Sequence, residues 1–275
     1  MNPSQSSGDA AALQRELQVA NLKIVQMHSQ LMNTRRHAYS AAAMERCRFR
    51  GTPPRGIVEF RAQFGEDCFL YELFEGRQQG FYIEAGAFNG VDLSVTYAFE
   101  QLGWQGLLVE ALPGRAEECR VRRPHSRVVH AALGGPGDSP TLSFLSTQDP
   151  FGGMLSRAEG PATRPLPPGM RADRVTVPVA TLDQLLDGQN VPIDFVVLDM
   201  EGSEMRALAG FSLERFKPRV LMIEDLQLGG NSDIMRYMAA KPYDFACWIE
   251  LNAVFIHREE RSLRDRFASM QAFGL

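Results

Sequence analysis

Gly80-Phe81-Tyr82-Ile83-Glu84-Ala85-Gly86-Ala87-Phe88-Asn89-Gly90 is the stretch that decides the reading of this chain. Phe81 to Ile83 is a short run of β-forming apolar residues closed by an acid, Glu84. Gly86 and Gly90 follow, and from Asp92 to Leu102 the apolar residues fall at helical spacing. Strand, tight turn and helix start, in that order, bring backbone N–H groups and the positive end of a helix dipole around a nucleotide-like ligand. A dinucleotide loop reads G-x-G-x-x-G, whereas this one reads E-x-G-x-x-x-G with Ala87 and Phe88 in its middle. The central glycine of the dinucleotide loop lets backbone approach a pyrophosphate. S-adenosylmethionine (SAM) has no phosphate, and a loop that holds it can do without that glycine.

Working outward, Gly106 to Glu110 is a second buried strand ending in an acid. A carboxylate there can accept both ribose hydroxyls of an adenosine. Alone, it reads equally well as a solvated residue at a strand end. The pattern recurs in Asp194 to Asp199 and in Arg219 to Asp225. Strands alternating with helices imply a parallel sheet, and Phe245–Ile249 with Ala253–His257 close it as an antiparallel hairpin, leaving one reversed strand near the edge. Glu84, Glu110, Asp199 and the Glu224–Asp225 pair then share the carboxyl edge of the sheet, where open α/β folds bind ligands. Neighbouring carboxylates repel and raise each other's pKa, so a cation or a set of donors must compensate them.

Composition narrows the classes. With 275 residues, 44% of them hydrophobic, the chain can hold one large α/β domain and an appendage. A net charge of −4 offers no basic field for nucleic acid. Arg120, Arg122 and Arg123 cluster locally and read as a solvated helix end. Cys47, Cys68, Cys119 and Cys247 are too scattered for a metal or redox motif, which points to a reducing compartment. The start lacks the apolar core of a signal peptide and no run approaches a membrane span, so the expected location is cytoplasmic.

Residues 1–50 form an N-terminal helix in which Leu13, Leu17, Ala20, Ile24, Met27 and Leu31 follow a heptad seam. It either self-associates, making a homo-oligomer, or packs on the domain's surface; its distance from the domain's start sets it apart from the core. Residues 51–62, with Pro53 and Pro54, form a linker, and 63–275 the main domain. Gln63 to Asp67 leads into a helix carrying Phe69, Leu70, Leu73 and Phe74, and Pro113 opens another. Arg127 to Leu133 reads as a third strand, in which His130 is a half-buried structural residue. Thr141–Leu145 and Asp173–Val179 alternate as a hairpin-like pair. The lid-like insertion at about 146–172, with Arg157, Arg164 and Arg171, is either an active-site cover or disordered. The last helix before the closing hairpin is expected at about Asp233–Ala240.

Taken together, Gln63-Phe64-Gly65-Glu66-Asp67, Glu84 to Gly90, Gly103-Trp104-Gln105-Gly106 with Glu110, Thr181-Leu182-Asp183, Asp199 to Glu204 and Glu224 make the chain resemble the FkbM-type SAM-dependent methyltransferases. The resemblance covers about residues 63–257. It implies an α/β, Rossmann-like class I methyltransferase fold, a seven-stranded and mostly parallel sheet with a reversed C-terminal hairpin. The activity it implies is methyl transfer to a hydroxyl oxygen, with sugar or glycan acceptors expected. In that family Glu84, Gly86 and Asn89 would line the methionine end of SAM, and Ser94 would reach its carboxylate. Glu110 would hold the ribose, with Ala131 and Ala132 at the adenine edge. Asp199, Glu201 and Glu204 would face the acceptor, with Glu224 opposite. Family members more often carry aspartate at the position of Glu84 and proline at that of Ala111.

The sulfonium carbon is already activated, so the protein has to align an oxygen and remove its proton. Asp199 or Glu201 is the candidate base, with His257 a further one. Alternatively, Asp199, Glu224 and Asp225 would hold Mg²⁺ and acidify a bound hydroxyl. Two rivals stand beside this reading. A nicotinamide-dependent oxidoreductase would want the missing glycine and a Tyr-x-x-x-Lys pair, which does not occur. A SAM-binding but non-catalytic oligomeric module would use the heptad helix as its tether.

Overall fold

The computed structural model describes residues 3–52, 58–148, 153, 155–160, 166 and 170–272. In chain order the first elements are α1 (Pro3–Phe49), α2 (Glu66–Leu73), β1 (Phe81–Ala85), α3 (Tyr97–Gln101), β2 (Gln105–Glu110), α4 (Pro113–Arg122) and β3 (Ser126–His130). A middle group follows: β4 (Ala132–Leu133), β5 (Thr141–Thr147), β6 (Arg157–Ala158), β7 (Ala172–Ala180) and α5 (Leu182–Leu185). The chain closes with β8 (Phe195–Leu198), α6 (Glu204–Ala209), α7 (Leu213–Phe216), β9 (Val220–Glu224), α8 (Asp233–Ala239), β10 (Tyr243–Ile249), β11 (Asn252–His257) and α9 (Arg261–Ala272).

The main sheet has seven strands in the order β10-β11-β9-β8-β1-β2-β3. Only β11 runs against its neighbours, the reversed strand next to the edge that the closing hairpin calls for. β1 sits between β8 and β2 in parallel register, with Ala85 opposite both Val109 and Leu198. Since β1, β2, β8 and β9 are parallel, Glu84, Glu110, Asp199 and Glu224 reach the same sheet edge. The Thr141 and Asp173 runs do pair, as β5 and β7 of a second, four-stranded sheet ordered β4-β7-β5-β6.

Apolar clusters on the two faces of the main sheet hold the layers together. One centres on Trp104, fully buried with Phe74, Phe99 and Phe195 around its ring and its indole N–H donating to the Arg77 carbonyl at 2.6 Å. Removing such a ring costs about 3–5 kcal/mol. The same cluster includes Ala43 and Cys47 of α1, so the helix expected to stand apart enters the core with its second half. Arg46 reaches the buried Glu72, and Arg35 meets Glu250 at 3.0 Å. Val19, Ile24, Met27 and Leu31, earlier along α1, are exposed.

Three other expectations change. The crossover helix forms only over Tyr97–Gln101, because the residues before it bend to give their donors to Glu84. The expected third strand breaks at Ala131, and Ala132–Leu133 leaves the main sheet to pair with β7. A further helix, α9, follows the hairpin and buries Leu263 and Met270, with Phe267 edge-on to Phe69. Pro53 and Pro54 of the expected linker, and Arg164 of the expected lid, lie outside the described residues. No helix among the described residues is long and apolar enough to cross a membrane, and all four cysteines are free.

Candidate active site

A cavity of ≈ 970 Å³ opens at the carboxyl edge of the main sheet, at the upper end of the range for small-molecule sites. Its floor begins where β1 ends. Gly86 takes φ 85°, and a Cβ there would stand 1.7 Å from the Asp199 carbonyl oxygen, so only glycine lets β1 and β8 close up at this point. Asn89 ties the following turn, accepting from the N–H groups of Val91 and Asp92 at 3.1 and 2.9 Å and donating to the Asp92 carboxylate at 2.7 Å. Phe88, Leu93 and Glu201 line the cavity with left-handed backbone, φ 52°, 61° and 54°. Such strain costs of order 1–3 kcal/mol per residue and gathers at functional sites.

Glu84 lines the cavity but its carboxylate is already engaged. It accepts from the Ser94 hydroxyl at 2.8 Å, the Val95 N–H at 2.7 Å and the Thr96 hydroxyl at 2.6 Å, with the Arg123 guanidinium 3.9 Å away. The Ser94 hydroxyl in turn accepts from Thr96, Tyr97 and Arg123. These two residues therefore shape the loop from within. Arg123, expected as part of a solvated helix end, is 1% exposed and binds Glu100, Gly90, Tyr82 and Thr96 as well.

Glu110 ends β2 on the other side of the loop. Its oxygens accept from the N–H groups of Phe88 and Leu112 at 2.9 and 2.8 Å, and each keeps a lone pair for a ligand hydroxyl. Burial pushes its carboxyl up to about 7 against those hydrogen bonds. Ala131 and Ala132 stand beside it in the cavity wall.

The opposite half of the cavity is acidic. Burial raises Glu66, which lines it, to about 8. Glu204, expected to face the acceptor, lies buried behind the wall without lining the cavity and is raised to about 7. Asp199 adds repulsion to each. Glu66 accepts from the Asn252 side chain at 3.0 Å, and Glu204 accepts from the N–H groups of Met200 and Gly202. Asp199 is open to the cavity yet ringed by protein, and burial and Glu84 move its carboxyl upward while Glu224 hydrogen-bonds to it. Burial and the charges of Asp199, Glu204 and Glu201 move Glu224 strongly upward, and its Oε2 has no partner. An enclosure of this kind favours a cation or a proton donor as its ligand.

The structure thus brings together Glu84, Gly86, Asn89, Ser94, Glu110, Ala131, Ala132, Asp199, Glu201 and Glu224. It does not bring in His257. Because β11 is antiparallel, its last residue bonds to Arg219 before the start of β9, at the opposite sheet edge, and lines a separate cavity with Arg77 and Asp194. The expected Mg²⁺ set is not assembled either. Asp225 accepts from the Gln227 N–H and does not line the cavity, and among the described residues no three acidic, histidine or cysteine side chains could hold a metal ion. Sequence reasoning passed over Glu66 and Asn252, and the four cavity residues of α1, Ser29, Met32, Asn33 and Arg36. Gly153, Leu155, Ser156 and Ala158, from the described part of the expected lid, also line it.

No curated protein matches this chain. A family model described as the methyltransferase FkbM domain matches residues 84–245, more than half of the chain's length, and takes in the end of β1 and every strand from β2 to β9. The match starts at Glu84, so α1 and α2 precede it. The acids at the ends of β1, β2, β8 and β9 all fall inside it, and on that footing the chain belongs to the FkbM methyltransferase family.

Proposed function

We propose that this protein transfers a methyl group from SAM to a hydroxyl oxygen of an acceptor, with sugar or glycan hydroxyls the first class to test. The observation that carries the reading is the division of one cavity into two halves. Glu110, Ala131 and Ala132 beside the Gly86 loop suit an adenosine without phosphate, and the acidic half suits a positive sulfonium next to a group that loses a proton. The free lone pairs of Glu110 and the tight loop that Gly86 allows after β1 fit the cofactor. When bound, SAM supplies the electrophilic methyl carbon.

The chain's own residues supply alignment and proton removal. Glu110 holds the ribose hydroxyls, and the Asn89 turn fixes the loop beneath the methionine end. Asp199, whose raised carboxyl is open to the cavity, accepts the acceptor's hydroxyl proton, and Glu201 stands next to it as the second candidate. Calorimetry with SAM and with NAD separates this reading from an oxidoreductase. Turnover of labelled SAM with hydroxyl acceptors by wild type and Asp199→Asn tests the base: the variant should bind SAM normally and lose at least 10²-fold in rate. SAM binding without product on a broad acceptor panel would favour a non-catalytic module instead. The exposed Val19, Ile24, Met27 and Leu31 stripe supports self-association through α1, which sedimentation of wild type and a Leu31→Glu variant would test.

A further inference from the structure

The family match begins at Glu84, yet part of the cavity wall comes from before it. Ser29, Met32, Asn33 and Arg36 are spaced three and four apart, so they share one face of α1, and that face lines the cavity. The helix is held in place there. Arg35 pairs with Glu250 in the β10–β11 turn, and the Tyr39 ring packs so closely on Gly65 that a Cβ at Gly65 would come within 2.7 Å of it. Glu66, next in the chain, is bonded to Asn252 of β11. In the sheet β11 is four places from β2, so α1 closes the half of the cavity remote from Glu110, the half with Asp199 and Glu224.

Within this wall Arg36 stands out. Among the described residues its side chain makes no ion pair and no hydrogen bond, and its Nε is enclosed without a partner, although carboxylates line the same cavity. The other arginine among the described residues of the cavity, Arg115, is paired with Glu118 and lies over the Phe88 ring, 4.3 Å from its centroid. An enclosed N–H left without an acceptor is disfavoured unless a ligand supplies one, and the planar fork of the half-buried Arg36 side chain matches the two oxygens of a carboxylate or phosphate.

We propose that Arg36, with the face of α1 beside it, binds an anionic oxygen group, phosphate or carboxylate, carried by the hydroxyl acceptor. The acceptor subsite is then completed by a helix outside the family domain. The identification of the bound molecule as the acceptor rests on the methyl-transfer reading. The charge layout also orients that molecule. With its anion on Arg36 the hydroxyl end points toward Asp199, whereas the reversed pose sets the anion against Asp199 and Glu224 and is repelled.

Calorimetry on the full chain, with and without S-adenosylhomocysteine, tests this with glucose 6-phosphate and glucuronate as anionic probes and glucose as the neutral one. An anionic probe should bind more tightly than glucose, and Arg36→Gln should weaken it at least tenfold, about 1.4 kcal/mol, while leaving SAM affinity unchanged. Arg36→Lys should retain part of the binding and serves if the glutamine variant does not fold. The responding probe tells phosphate from carboxylate. Absence of anion binding to the wild type, or equal binding to Arg36→Gln, overturns the proposal. So does loss of SAM affinity in Arg36→Gln, which would assign Arg36 to the cofactor's own carboxylate. Failure of SAM to bind the wild type sinks the methyl-transfer reading separately, since the anion titration without nucleoside is still read.

Discussion

Asp199 and Glu224, at the ends of adjacent parallel strands, present their carboxyl groups to each other within hydrogen-bonding reach. Both are moved upward by burial, Glu224 the more strongly because Asp199, Glu204 and Glu201 add repulsion. Around neutral pH the pair therefore keeps one proton, on Glu224, which donates to an ionised Asp199. That division leaves Asp199 free to accept a proton from a substrate hydroxyl.

The acid limb of turnover follows from this. A base must be ionised to act, so kcat should fall as pH drops through the raised Asp199 value, above the ordinary carboxylate range. The hydrogen bond donated by Glu224 lowers the Asp199 value. Glu224→Leu removes that donor while keeping the site dry, so the limb should move to higher pH, whereas Glu224→Gln keeps a donor and should move it little. A pH–rate profile whose limb is indifferent to both substitutions would rule out the pair as the ionising unit.

Glu84 and Arg123 give a stability prediction. Glu84 collects three donors from the turn before α3, and Arg123 backs it from 3.9 Å. Arg123→Met leaves Glu100 and Glu84 buried without their cation, and breaking a buried pair from one side costs about 3–5 kcal/mol. Glu84→Gln can satisfy fewer of the donors and should cost about 1–3 kcal/mol. Denaturant unfolding of the two variants should show losses in that order.

Gly86→Ala meets two obstacles at once, a left-handed φ of 85° and a backbone oxygen 1.7 Å from the new Cβ. A clash with backbone cannot be relieved by a rotamer change, so the ends of β1 and β8 must separate. The expected loss is about 2–4 kcal/mol, larger than strained backbone alone, with SAM affinity reduced as well. Gly137→Ala is the control, because that glycine has φ 85° but nothing within 4 Å of the added atom.

Much of this was readable from residue order. Strand runs ending in Glu84, Glu110, Asp199 and Glu224 placed four acids on one edge because parallel strands share their direction, and the hairpin spacing gave the reversed β11. What local patterns could not show was where long-range partners lie. Arg123 looks like its neighbours Arg120 and Arg122, and only the fold brings Glu100, Tyr82 and Glu84 around it. Asp92 to Leu102 has helical spacing, but a carboxylate ten residues earlier captures its donors. The heptad seam of α1 drew attention to the helix's outer face and hid Arg36 on its inner one. The helix α9 was legible in the spacing of Leu263, Phe267 and Met270 and was passed over.

His257 supplies a negative control for the mechanism. Its Nδ1 accepts from the Glu259 N–H at 3.2 Å, and its ring stands edge-on to Tyr243 at the sheet edge opposite the cavity. His257→Ala should lower the unfolding midpoint through lost packing, yet leave kcat and SAM affinity within about threefold of wild type. Loss of turnover as large as that in Asp199→Asn would mean that the reaction takes place at the other sheet edge.

Proton release on SAM binding probes the cofactor half directly. Burial holds Glu110 at about 7, so below that pH its carboxyl is mostly protonated in the free protein. Ribose hydroxyls donating to it favour the ionised form and lower its pKa, so binding must expel a proton. Calorimetry at pH 6 in buffers of different ionisation enthalpy should show release approaching one proton from this site, falling toward zero above pH 8. SAM affinity should correspondingly rise with pH across that window, by up to tenfold for each unit by which binding lowers the Glu110 value. Glu66 and Glu204, also raised by burial, can add to the release, so Glu110→Gln isolates the contribution. That variant should bind SAM at least tenfold more weakly and release fewer protons. If release is unchanged in Glu110→Gln, the ribose is held elsewhere and the adenosine end of the cavity has been misplaced.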